Sequence, residues 1–376
     1  MKLRRVLAIA RKEFLHIVRD PRSLGMAIAI PMIMLLLFGY ALTVDVDNVP
    51  VLVWDQSGTA ASRELVSRFD GSPYFTLQGY ADGYEEIVAG IDARRTLVGL
   101  VIPADYARQI ERAEPAPVQL IVDGTDSNTA TIAIGYAEAI AAAHGQQLAI
   151  EELRQLGGPR PQPPLEVRPR VWFNSDLESR NYIIPGLIAV IMMVIAALLT
   201  SLTVAREWER GTMEQLISTP VKGRELIVGK LIPYFVIGMF DVLVAVLVGE
   251  FLFHVPLRGN PALIFALGAI FLVGALSMGL LISIVAKNQL LASQMAMVTT
   301  FLPAFLLSGF MIPIANMPVV VRGITYIVPA RYFVRLLHGI YLKGVGMGTL
   351  AFEAALLVVY AGVMVLLAHA KFRKKL

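Results

Sequence analysis

Six stretches of the chain run apolar for about twenty positions or more: 24–44, 182–204, 231–253, 262–286, 290–314 and 349–370. A bilayer core about 30 Å thick takes about 20 helical residues to cross, so each stretch predicts a spanning helix. Between the first and second the pattern changes. Val-rich runs at 49–55, 74–80, 96–103 and 118–124 predict strands, and helical spacings at 59–69, 84–95 and 127–156 predict helices between and after them. "GGPRPQPP" (157–164) is a breaker-rich linker, and 166–174 leads back to the membrane. The fold class predicted is membrane α-helical, with six transmembrane helices and an α/β extracytoplasmic domain, 45–181, inserted between the first and second spans. The pattern leaves the strand order open.

The head, 1–23, is patterned differently. Leu3, Val6, Leu7, Ala10, Phe14, Ile17 and Val18 recur at spacings of three and four, while Arg4, Arg5, Arg11, Lys12 and Arg19 lie mostly elsewhere. Such a helix can lie in the headgroup plane. A basic flank that only fixes orientation would satisfy the same pattern. Pro21 ends it and turns the chain into the first span.

Composition agrees with a membrane protein. The chain is 56% hydrophobic with a mean hydropathy of +0.64, and 16% of it is charged, against about 25% in soluble domains. With no Cys, a disulfide or thiolate chemistry is excluded. The first apolar run is too long for a signal peptide and is followed by Asp45-Val46-Asp47 rather than small residues. Lysine and arginine crowd the head, the loop 205–230, Lys287 and the basic tail 371–376, which predicts that both termini are cytoplasmic. Residues 45–181 carry no lysine and a net charge of −9, consistent with an outside location.

The loop 205–230 is dense in charge: Arg206, Glu207, Glu209, Arg210, Glu214, Lys222, Arg224, Glu225 and Lys230. Gly211 breaks the helix leaving the second span. Thr212 as N-cap with Gln215 three residues on predicts a capping box, then a stub over 213–218. Pro220 ends the stub by biasing Thr219 away from helix. A capped, charged stub offers a partner a surface; a solvated connector is the other reading.

Single residues add less. Asp241 falls mid-span, where a charge is costly and must face protein or water: it is a pathway or subunit-contact residue, or a carboxyl satisfied by a neighbouring helix. "DGTDSN" (123–128) lacks calcium-loop spacing and predicts a capped strand-to-helix turn. The five histidines are dispersed, and no nucleophilic triad or carboxylate pair can be assembled, so the chain is not expected to be an enzyme. The nearest approach to a phosphate loop, "GRELIVGKL", is one residue too long and ends in Leu231 in place of a hydroxyl residue. Within 315–348, pieces too short to span are divided by Pro318 and Pro329, and Arg331 and Arg335 stand four apart.

Together, "ARKEFLHIVRDPRSL", "REWERGTMEQLISTPVKGRELIVGK" and "YIVPARYFVRLLHGIYLKG" resemble ATP-binding-cassette type-2 exporter permeases. The large outer domain resembles their drug-efflux subgroup. The resemblance implies that Glu207, Glu209, Arg210, Gly211, Thr212, Glu214 and Leu216 couple to an ATPase subunit. It implies a second contact at the head through Arg11, Lys12, Glu13, Arg19, Asp20 and Pro21. The short helices in 315–348 would re-enter the membrane and cap the pathway, with Asp241, Arg331 and Arg335 as pathway or subunit contacts. No cofactor is implied in this chain: ATP and Mg would sit on a separate ATPase, and this half-transporter would pair with a second copy or a related permease. A bacterial inner-membrane location follows, with lipid as a partner, a periplasmic adaptor left open and no nucleic acid. Two other classes stay in play: a proton-coupled carrier using Asp241, and an anchored receptor working through its outer domain.

Overall fold

The computed structural model describes residues 2–21, 25–41, 48–112, 114–155, 172–174 and 178–372. The chain divides into a helical unit, Met1–Thr43 with Arg170–Leu376, and an α/β unit, Val44–Pro169.

In the helical unit, α1 (Leu3–Arg19) ends where Asp20, the residue before Pro21, turns extended. A π-turn, Gly25–Ala29, leads into α2 (Ile30–Ala41). The predicted first span is therefore seen only over 25–41, its ends lying outside the described residues.

The α/β unit follows the alternation read from the sequence. It runs β1 (Val49–Asp55), α3 (Ala60–Asp70), β2 (Phe75–Tyr80), α4 (Tyr84–Asp92), β3 (Val98–Ile102), α5 (Tyr106–Glu111), β4 (Gln119–Val122) and α6 (Ser127–Gln155). The sheet order is β2-β1-β3-β4. β1 lies parallel to both β2 and β3, and β4 closes the edge antiparallel to β3. Period-two alternation sorts its faces: Val49, Val51, Val53, Leu100 and Ile102 pack with residues of α3 and α6, while Leu52, Trp54 and Val101 pack with Ile87 and Ile91 of α4. The turn at 123–128 is a cap, as its composition predicts. Asp123 accepts from Thr125 N–H at 2.9 Å, and Asp126 from the Thr129 hydroxyl at 2.6 Å and Asn128 N–H at 3.1 Å; the Thr125 bonds lower the Asp123 carboxyl and the Thr129 bonds that of Asp126 below the usual range.

The rest of the helical unit is α7 (Ser179–Glu209), α8 (Thr212–Ser218), α9 (Gly223–Phe251), α10 (Pro261–Ala286), α11 (Gln289–Leu307), α12 (Val319–Ile324), α13 (Pro329–His338) and α14 (Met347–Lys371). Five of these, α7, α9, α10, α11 and α14, are long and apolar enough to cross a membrane; Ala27–Ala41 is an apolar helix of shorter length. α11 stops at Leu307, short of the predicted 314, and carries a π-turn at Met297–Phe301; Gly309 follows at φ 86°. Every residue of α7 from 183 to 197 is buried, as befits a helix apolar on all sides. Its closest neighbour is α10. A Cβ added to Gly279 would lie 2.2 Å from Thr200 Oγ1 and 2.3 Å from the Ala197 carbonyl, so only glycine fits there. One turn on, Ser283 Oγ accepts from the N–H groups of Val204 and Ala205, each at 2.9 Å.

Candidate functional site

The charged residues of the head and of 205–230 converge. α1 packs along α9 through Val6, Ala10, Glu13 and Ile17, all buried and on one helical face. Glu13 is the exception in this apolar stripe, and its partner explains it. Lys230, one of the largest fully buried side chains, donates to Glu13 Oε1 at 2.6 Å and to Glu207 Oε1 at 3.3 Å. Lys12 reaches the same Glu207 oxygen at 2.7 Å, and Thr212 donates to its other oxygen. Four elements, α1, α7, α8 and α9, thus meet on one ionic cluster. Burying such charges is costly unless each is paired; here Lys230, Glu13 and Glu207 each have a partner.

Two flanking contacts widen the cluster. Glu225 accepts from the backbone N–H groups of Lys2 at 2.6 Å and Lys222 at 3.0 Å. Arg5 donates to the Pro220 carbonyl at 2.5 Å, so the first turn of α1 ties down both sides of the segment after α8. On the other flank Arg206 donates to Gln289 Oε1 at 3.3 Å and meets His16 Nε2 at 2.5 Å. A guanidinium only donates, so the imidazole accepts and is neutral. Burial, and next the Arg206 charge, lower the His16 pKa below 6.5. Gln289 N–H in turn donates to Glu209 at 2.8 Å, linking α7 to the start of α11.

The stub is present, with one correction. Gly211 holds the cap position at φ 69°, a left-handed conformation suited to glycine, and Thr212 is the first helical residue. The predicted capping box with Gln215 does not form. Gly211 reverses the chain so tightly that the Thr212 hydroxyl falls back on Glu207 instead of reaching forward. The end of α8 is as read: Ser218 is the last helical residue and Thr219 is extended at ψ 155°. Met213 is buried beneath α8, and Leu216 borders a small cavity with Leu226 and Phe372. Arg210, Gly211 and Glu214 are exposed. On α1, Arg11, Lys12 and Arg19 are exposed; just after it Asp20 is half-buried and Pro21 exposed. A second stripe of α1, Leu3, Leu7, Phe14 and Val18, is also exposed.

The other predicted residues lie elsewhere. Asp241 on α9 is buried and borders a narrow apolar cavity with Leu35 of α2, Ile188 and Met192 of α7 and Leu272 of α10. No neighbouring helix satisfies its carboxyl among the described residues, contrary to one of the two sequence readings. Arg331 and Arg335 share a helix but not an environment. Arg331 is buried, donates to Thr325 Oγ1 and lies 3.7 Å over the Tyr326 ring. Arg335 is half exposed and pairs with Glu353 at 3.7 Å. The segment resembling a phosphate loop forms the first turns of α9, with no loop to cradle an anion. Lys230 and Glu225 stood out in the sequence only as charges of the loop, and His16 and Gln289 carried no role. A lysine at the edge of an apolar run, 217 residues from its carboxylate, carries no local signal; an acid among the inward positions of α1 does.

Among the described residues the helical unit is a bundle whose five longest apolar helices could each cross a membrane. Residues 21–370 match the family model described as ABC-2 family transporter protein, and the chain belongs to that family, whose members are permease components of ABC transporters. It is 42% identical over 342 residues to the probable multidrug ABC transporter permease YbhS of Escherichia coli K12, covering 91% of this chain and 89% of that one. It is 32% identical to the probable multidrug ABC transporter permease YbhR of the same organism, covering 99% of both. It is 23% identical to ABC transporter G family member 20 of Dictyostelium discoideum, covering 96% of this chain and 49% of that one.

Proposed function

We propose that this chain is the membrane subunit of an ATP-driven exporter of the bacterial inner membrane and that α8, clamped by α1, receives the motion of a separate ATPase. The observation that carries the reading is the ionic cluster. It fastens a seven-residue helix to three long ones, so a force on α8 is passed to α1, α7 and α9 rather than lost in a loose loop. Outward from the clamp, the exposed Arg210 and Glu214 would face the partner, with Leu216 beside them and Glu209 held by Gln289; Arg11 and Arg19 on α1, and Asp20 and Pro21 just after it, would form the second contact. The exposed Leu3, Leu7, Phe14 and Val18 would sit among lipid headgroups. In this reading α2 completes six spans, both termini are cytoplasmic and 45–181 is outside. The chain pairs with a second copy or a related permease. Asp241 on α9, with Arg331 and Arg335 on the re-entrant helices of 315–348, lines the pathway or a subunit contact. Membership of an ABC family favours this over the carrier and receptor readings.

The test is Glu214→Arg with the ATPase co-expressed. An exposed substitution in α8 leaves stability within about 0.5 kcal/mol, while a reversed charge at an interface penalises the contact. Co-purification or substrate-dependent ATP hydrolysis should fall with expression unchanged. Full transport by this variant and by a Gly-Ser replacement of 212–218 would leave α8 a mere connector.

A further inference from the structure

The α/β unit holds a cleft of about 600 Å³ that the coupling site does not use. It lies between α5 with the segment after it and the second half of α6, with Leu65 of α3 at its base. This size is within the range of small-molecule sites. Its apolar wall is made by Leu65, Ile110, Val118 and Leu148, and its charged lining by Glu111, Glu114 and Glu151; no lysine or arginine is among the described lining residues. His144 of α6 also lines it. That side chain is only 3% exposed, and neither ring nitrogen has a hydrogen-bond partner among the described residues. The nearest acid, Glu64 on α3, is 4.0 Å from Nδ1, beyond hydrogen-bond range, and is itself bonded to Arg68 at 3.1 Å.

A buried polar group without a partner costs about 1–3 kcal/mol, so an orphaned imidazole at the base of a cleft asks for a ligand. The surroundings say of what kind. Burial lowers the His144 pKa, so near neutral pH the ring is uncharged and offers one nitrogen as an acceptor. Three carboxylates favour positive charge, and the Leu, Ile and Val side chains favour an apolar body. An anion would meet carboxylates on its approach, and a bare metal ion would leave the apolar wall unused. We infer that this cleft binds an amphiphilic protonated amine, its ammonium toward His144 and the carboxylates and its apolar body against Leu65, Ile110 and Leu148. The site lies in the α/β unit and does not depend on the coupling role of α8.

The experiment uses the full chain in nanodiscs without an ATPase, so a failure of the coupling reading cannot affect it. Quinacrine, a fluorescent amine, is titrated against wild type and three variants, with empty nanodiscs subtracted. Leu148→Trp fills the cleft, the triple change E111Q/E114Q/E151Q removes its charge, and His144→Phe removes the acceptor. Thermal unfolding of each variant confirms that it is folded. Saturable binding to wild type, weakened at least tenfold by the first two variants and severalfold by the third, is the expected result. No binding above empty nanodiscs, or affinity unchanged in Leu148→Trp, overturns the site. Affinity unchanged in the triple variant, or equal binding of an anionic dye of similar size, overturns the assignment of a cation. If Leu148→Trp is unfolded, Ala141→Leu at the same wall serves in its place.

Discussion

Lys230→Met removes one charge and keeps most of the stem. Lys230 is 2% exposed in its side chain, Glu13 6% and Glu207 9%, whereas Lys12 is 55% exposed. After the change Glu207 keeps Lys12 at 2.7 Å, but Glu13 is left with Lys12 at 3.9 Å. Removing one partner of a buried pair costs about 3–5 kcal/mol; with Glu207 still paired, the lower figure applies, and α1 should undock from α9 by about 3 kcal/mol. At about 1.4 kcal/mol per tenfold, the undocked fraction rises about 100-fold. The chain has no cysteine, so Ala10→Cys, at a buried position of the α1–α9 contact, gives a unique thiol whose maleimide labelling reports undocking. Lys230→Met should raise the labelling rate by that factor. Glu13→Gln on top of it should restore most of the loss, because no buried charge is then left unpaired near α1. Lys12→Ala, removing an exposed partner, should cost less than about 1 kcal/mol. Labelling that stays slow in Lys230→Met would refute the clamp.

Two further outcomes are expected. Reporter fusions at Gln162 and Gly259 should read outside and those at Lys222 and Asn288 inside; a cytoplasmic signal at Gln162 would overturn the six-span arrangement. His16 gives a pH dependence. Its docked pKa lies below 6.5, so between that lower value and 6.5 the undocked helix binds more protons and docking weakens as pH falls. The charges facing it are Arg206, Arg210, Lys12 and Glu13. Labelling of Ala10→Cys, taken relative to the same reporter in a His16→Gln background, should rise severalfold from pH 7.5 to pH 5.5; a flat ratio would remove His16 from the clamp.

The long elements were legible because their periodicity is a property of the local chain. Val49, Val51 and Val53 announce a strand by alternation alone, and the run through 183–197 announces a buried helix. The six-residue α5 was missed, since little more than one turn is too short to show a period. Strand order was closed to local pattern, because β1 takes its two neighbours from residues well downstream. The Thr212 cap failed for a different reason. Thr-x-x-Gln fits a cap, but it also fits a first helical turn, and the left-handed Gly211 decided between them. The head gave up its amphipathicity but not its inward face: with apolar residues on two stripes, only Glu13 distinguishes the one that meets Lys230. The clamp itself joins residues near 13, 207 and 230, and nothing in a one-dimensional string says that they touch.

The contact of Gly279 with Ala197 and Thr200 has a mechanical consequence. On the α10 side no side chain stands between the two helices there to absorb sliding, and Ser283 pins the next turn. A one-residue axial shift of about 1.5 Å would drive the α10 backbone into the Thr200 side chain. What remains is a change of angle about this point, which makes it a fulcrum. From Thr200 to Glu209 the arm is about 14 Å, and from Ala197 back to Ser179 about 27 Å. In the proposed coupling, α7, if it tilts as one rod, would act as a lever with arms near one to two. A tilt that moves the α8 end by 2 Å, as an estimate of about the smallest useful stroke, moves the Ser179 end by roughly 4 Å, where Tyr182 bonds the Gly309 carbonyl and stacks on His338 of α13.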